Sequence, residues 1–115
     1  MEASAFSLII TIVNRGFADE VMDAARVRGA TGGTIIHGKG STGSKELEQF
    51  YNIILQEEKE AILIVASKEK RNDIMDGILH AANLSSEAHG VTFSLPVEDF
   101  HLLKKLAPKK NETKP

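Results

Sequence analysis

The sequence predicts an α+β fold, a ferredoxin-like βαββαβ plait: four antiparallel strands in one sheet with two helices on one face. Two observations carry this. Apolar, β-branched runs at Phe6–Val13 and Glu60–Ala66 read as buried strands. Each is followed by a stretch of helical periodicity and then by another strand-like stretch, so the chain divides into two similar βαβ halves. Right-handed crossovers bring two such halves into one sheet covered on one side. A third observation predicts assembly. Strands apolar on both faces cannot leave one face in water, so a second copy of the chain is expected to cover the face opposite the helices.

The elements follow in order. Asn14-Arg15-Gly16 ends the first strand with turn chemistry. Phe17–Arg28 is the first helix. Ala18, Val21, Met22 and Ala25 form its apolar stripe, acids occupy the first turns, Arg26 and Arg28 the last, and Gly29 stops it. Gly33–His37 is the second strand. A polar, glycine-rich stretch runs from Gly38 to Ser44, followed by a short helix over Lys45–Tyr51 and an extension of strand three over Asn52–Leu55. Glu57-Glu58-Lys59-Glu60 reads as a solvated turn before strand three. Ser67 caps a second helix over Lys70–Asn83, striped by Ile74, Ile78, Leu79 and Ala82. Ser85–Gly90 is a loop and Gly90–Val97 the fourth strand, ended by Pro96. Asp99–Leu106 is read as one or two helical turns. One domain spans residues 1–106, with Ala107–Pro115 as a Lys- and Pro-rich tail.

Composition narrows the function. A chain of 115 residues with 42% apolar side chains has material for one core. A formal net charge of −2 argues against nucleic acid as the main partner. With no cysteine, thiolate catalysis, disulfides and cysteine metal sites are excluded. His37, His80, His89 and His101 show no metal-ligand spacing. His37, ending strand two, and His89, preceding strand four, are expected near the same sheet edge. The N-terminus lacks a basic region and its apolar run is too short for a signal segment, which points to a cytoplasmic protein.

Three glycine patterns overlap after strand two. Gly33 to Lys39 begins like a phosphate-binding P-loop, but Gly40 replaces the Mg²⁺-binding hydroxyl and the β-branched spacer wants a strand. Gly38-Lys39-Gly40-Ser41-Thr42-Gly43 matches GxGxxG, yet the chain is too short for a dinucleotide-binding sheet. What survives is a strand running into glycines whose backbone can approach phosphate, with Lys39 supplying charge. Read alone, the same segment is better taken as a mobile hairpin loop with glycines only for turning. Asn14-Arg15-Gly16 on this fold also admits phosphate binding in the manner of acylphosphatases. The longer glycine loop those enzymes carry before their Arg is missing, so a turn with a surface Arg is the preferred reading.

Taken together, Ile12-Val13-Asn14-Arg15-Gly16, then Gly29-Ala30-Thr31-Gly32-Gly33-Thr34-Ile35-Ile36-His37-Gly38-Lys39-Gly40, then His89-Gly90-Val91-Thr92-Phe93-Ser94-Leu95-Pro96-Val97, resemble the PII signalling protein family, in particular its divergent PII-like branch. The resemblance covers about residues 6–106. It implies a homotrimer with the sheets facing inward. It implies an adenine nucleotide, AMP, ADP or ATP, as effector in clefts between subunits, and no catalysis. It also implies a long T-loop, here 38–59, that docks on a target such as a membrane transporter or a metabolic enzyme.

Carried over by position, Gly33 and Thr34 approach base and ribose, and Gly38, Lys39, Gly40 and Ser41 begin the T-loop beside the phosphates. His89 and Gly90 close the cleft from the neighbouring subunit. The family's Thr-Gly-x-x-Gly-Asp-Gly-Lys loop before strand four is replaced by Leu84-Ser85-Ser86-Glu87-Ala88-His89-Gly90, without its lysine, and the C-terminal Arg-x-Arg is absent. Fewer cations mean a weaker hold on a triphosphate, so a smaller anion is an equal expectation. The alternatives are a ferredoxin-like assembly module without a ligand, or a small acylphosphatase-like phosphohydrolase using Arg15.

Overall fold

The computed structural model describes residues 5–41, 56–84 and 90–103. The order is β1 (Phe6–Asn14), α1 (Ala18–Val27), β2 (Thr34–Ser41), β3 (Gln56–Ser67), α2 (Lys68–Leu84) and β4 (Val91–Val97). All neighbouring strands pair antiparallel, in spatial order β2-β3-β1-β4. This is the four-stranded plait that the sequence predicts.

Strand alternation explains the two faces. On β1, Ser7, Ile9, Thr11 and Val13 point to the helices and are buried; on β3 the same face carries Glu60, Ile62, Ile64 and Ala66. Onto them pack Val21, Met22 and Ala25 of α1, with Ile74 and Ile78 of α2. Each fully buried Ile or Val contributes about 1.5–3 kcal/mol. The polar members of the layer are satisfied: the Thr11 and Thr92 hydroxyls share a hydrogen bond of 2.9 Å. Gly77 lets the helices approach, since a Cβ there would meet Arg28 Cγ at 2.6 Å and the Ala24 carbonyl at 3.2 Å. Arg28 then pairs with Asp73 across the same contact, at 2.9 Å.

The opposite face is more apolar and has no covering element among the described residues. The register aligns Ile36, Ala61, Ile12 and Val91 in one row, Thr34, Leu63, Ile10 and Phe93 in the next, and Val65, Leu8 and Leu95 in a third. Ile36, Val91, Phe93 and Leu95 are 39–53% exposed.

Several boundaries differ from expectation. Gly38–Ser41 is strand, not loop: it pairs residue for residue with Lys59, Glu58, Glu57 and Gln56. Pairing with β3 overrides the poor strand propensity of glycine. For the same reason Glu57–Glu60 is strand rather than turn. Pro96 lies within β4, tolerated because β4 is an edge strand. Residues 99–103 are not helical; Phe100 instead packs on Phe6, ring centres 4.9 Å apart, which fixes the chain where so short a helix has little intrinsic stability. The expected helix at Lys45–Tyr51, the extension at Asn52–Leu55, the loop from Ser85 to His89 and the tail all lie outside the described residues. Among the described residues no helix is long and apolar enough to cross a membrane.

Candidate functional site

The residues singled out in the sequence separate into two groups. Gly33, Thr34 and Gly38–Ser41 lie on or beside β2, one edge of the sheet, whereas Gly90 precedes β4, the other edge. Within one chain β3 and β1 stand between His37 on β2 and the start of β4, which occupy opposite lateral edges of the sheet. His89 itself is outside the described residues. One chain cannot bring the two groups together.

The glycines serve different ends. Gly33 is a packing glycine: a Cβ would lie 2.9 Å from Met22 Sδ and 3.0 Å from the Leu63 carbonyl, where α1 presses on β3. Gly90 is one too, with a Cβ 2.5 Å from the Ile12 carbonyl and 2.8 Å from Val13 Cγ1. Gly38 faces open space, and Gly40 would meet only the flexible Lys59 side chain, at 3.3 Å. Of these four, only Gly38 and Gly40 leave backbone free to be approached. Pairing places Thr34, Gly38 and Gly40 on the open sheet face, and His37 and Lys39 on the helix-bearing face.

Beyond the end of β1 an open cavity of about 460 Å³ is lined by Arg15, His37, Gly38, Lys39, Glu58 and Lys59. Three strand ends contribute to it. Arg15 continues β1 by one residue, its N–H donating to the Glu58 carbonyl at 3.1 Å, while its guanidinium pairs with the Glu58 carboxylate. Lys59 donates to Asn14 Oδ1 at 2.5 Å and lies 3.6 Å from Glu57. His37 Nδ1 is 3.3 Å from Glu60 Oε2. Among the described residues Lys39 has no ion-pair partner.

Glu60 anchors this end. It is 8% exposed, and its Oε1 accepts from the backbone N–H groups of Gly16, at 2.8 Å, and Ala18, at 3.2 Å. An acid so buried requires partners, and the donors at the start of α1 provide them, with the helix dipole adding attraction. Phe17, at the cap position, has no side-chain acceptor of its own, so Glu60 fills that role from β3. The sequence reading missed Glu58 and Glu60 by treating their segment as solvated. The signal was present: Glu60 is in period-2 phase with Ile62, Ile64 and Ala66, and an acid on a core face demands a partner. Among the described residues no three His, Asp or Glu side chains converge to hold a metal ion.

Comparison with known proteins agrees with the fold. The profile of the family described as "Nitrogen regulatory protein P-II" matches residues 6–105. Among solved structures, a DUF3240 family protein of Shewanella baltica OS155 is similar with a TM-score of 0.68 at 11% identity, over 88% of this chain and 99% of that one. Arabidopsis thaliana PII bound to citrate is similar with a TM-score of 0.66 at 20% identity, over 97% of this chain and 93% of that one. A Bacillus cereus protein related to NIF3 gives 0.67 at 13% identity; it covers 86% of this chain, which spans only 27% of that one. At such identities the likeness is one of fold. Sequence comparison with curated proteins returns no match.

Proposed function

The chain belongs to the nitrogen regulatory protein P-II family, and from that premise we propose that it is a homotrimeric, non-catalytic sensor which binds a small anionic effector between subunits. An adenine nucleotide is the leading ligand. A small carboxylate is the second, supported by the citrate held by the Arabidopsis relative and by the missing phosphate-loop lysine. Binding biases segment 38–59, and a target protein, a transporter or metabolic enzyme, reads that segment.

The observation that carries this reading is the separation of the site residues. Gly38–Ser41 and Gly90 occupy opposite sheet edges, so they form one site only where the β2 edge of one subunit meets the β4 edge of another. The uncovered apolar face supplies the driving force for that contact. Gly38 and Gly40 then offer bare backbone on the open face, and Lys39, on the helix-bearing side of the same sheet edge, adds positive charge nearby.

A thermal-shift screen with AMP, ADP, ATP, citrate and acetyl phosphate tests the proposal. A ligand at a hundred times its Kd stabilises by about 2.7 kcal/mol, roughly 10 °C or more for a domain of this size. Stabilisation without turnover by a nucleotide or citrate is the expected result. No response to any compound favours an assembly module, and release of phosphate from acetyl phosphate favours a hydrolase.

A further inference from the structure

Arg15 has no part in the reading above, yet it is the one guanidinium in the cavity and the structure places it beside Lys39. Register puts Arg15, Lys39 and Glu58 side by side on the helix-bearing face, one residue beyond the end of β1. The other charges there are already engaged. His37 faces Glu60, Glu60 is held by the Gly16 and Ala18 N–H groups, and Lys59 is held by Asn14 and Glu57. Among the described residues that leaves two cations for a ligand: Lys39, without an ion-pair partner, and Arg15, whose only anion is Glu58.

The Arg15–Glu58 pair is itself exposed, with side-chain accessibilities of 68% and 54%. Exposed pairs are weak and exchange readily. A guanidinium presents a planar fork that two oxygens of a phosphate or carboxylate fit as well as a glutamate does. Glu58 occupies the fork in the position such a group would take.

We propose that Arg15 anchors an oxyanion subsite in this cavity, assisted by Lys39, and that Glu58 is its resident counter-ion, displaced when a phosphate or carboxylate group arrives. The proposal rests on the effector reading only in supposing that the effector carries this group. It also gives the exchange a consequence. Glu58 lies on the β3 half of the arm formed by β2 and β3 beyond β1, so its release frees one of the side-chain ties between that arm and the sheet.

Calorimetric titration of the full chain tests it, with pyrophosphate as the phosphate probe and malonate as the carboxylate probe. The parent is expected to bind at least one, and the tighter of the two assigns the group. Arg15→Ala should weaken that probe at least about tenfold, with Arg15→Lys intermediate. Glu58→Gln, which removes the competing charge and keeps the shape, should tighten it about threefold or more. Both side chains are exposed, so thermal melts should show all three variants folded. Unchanged affinity in Arg15→Ala, or no gain in Glu58→Gln, overturns the proposal. So does failure of both probes to bind the parent and Glu58→Gln. If a nucleotide still stabilises the protein in that last case, the sensor reading stands and only the subsite falls. If the probes behave as expected but no nucleotide or citrate binds, the subsite stands and that reading falls.

Discussion

Gly90→Ala inserts a methyl carbon where the fold leaves no room for it. The new Cβ would lie 2.5 Å from the Ile12 carbonyl oxygen and 2.8 Å from Val13 Cγ1. Neither neighbour yields easily: one is backbone of a central strand, and Val13 is 1% exposed in the core. The start of β4 must move away from β1, and overpacking of this kind costs about 1–3 kcal/mol. Against it stands a gain of about 0.4–1 kcal/mol from the stiffer unfolded chain. The net expectation is a loss of about 1–2 kcal/mol, or roughly 5–15 °C in Tm. Gly38→Ala is the control, because nothing lies within 4 Å of its Cβ and its φ is not in the left-handed region. It should melt within about 4 °C of the parent. Melting followed by circular dichroism at one fixed protein concentration makes the comparison, since the proposed assembly would link Tm to concentration. Equal Tm values for parent and Gly90→Ala would refute the packing argument and return Gly90 to a purely ligand-binding role.

The other expectations follow from the same geometry. Glu60→Ala strands the Gly16 and Ala18 N–H groups and should cost about 1–2 kcal/mol in urea denaturation, with Glu60→Gln costing less because it keeps an acceptor. Gly40→Val should abolish effector binding in calorimetry while shifting Tm little, because its nearest neighbour is the flexible Lys59 side chain; Lys39→Ala should weaken binding by a smaller factor, about tenfold. Leu95→Asp puts a charge amid Leu8 and Val65 on the uncovered face and should convert the proposed trimer to smaller species in sedimentation velocity, where persistence of the parent's size would exclude that face as the interface.

The fold was legible because its information is local and periodic. The β-branched run at Phe6–Val13 and the stripe Ala18, Val21, Met22, Ala25 need no knowledge of tertiary contacts, and both elements stand where the pattern puts them. What the pattern could not show was the phase of β1. Its helix-facing positions are Ser7 and Thr11 as well as Ile9 and Val13, so the uncovered face holds the larger apolar residues. The extension of β2 through Gly38–Ser41 was illegible for a different reason. Two glycines, a lysine and a serine have no strand signal, and only the partner residues Gln56–Lys59 make them a strand. The site was legible in part: the residues from Gly38 to Lys39 do line the cavity, and Arg15 was visible as a cation after strand one. The ties of Arg15 to Glu58 and of the Gly16 and Ala18 N–H groups to Glu60 were not, since each joins residues more than forty positions apart.

Hydrogen exchange at the amides of Gly38–Ser41 and Gln56–Lys59 tests most directly whether this protein converts effector binding into a change at its arm. These residues are the paired ends of the proposed output segment 38–59, and Gly38 and Gly40 are where the effector is proposed to bind. Exchange there is expected to slow when a nucleotide or citrate shown by calorimetry to bind is present at saturation, while the amides of β1 and β4 change little. Equal exchange at these paired ends with and without a bound effector would contradict the sensor reading.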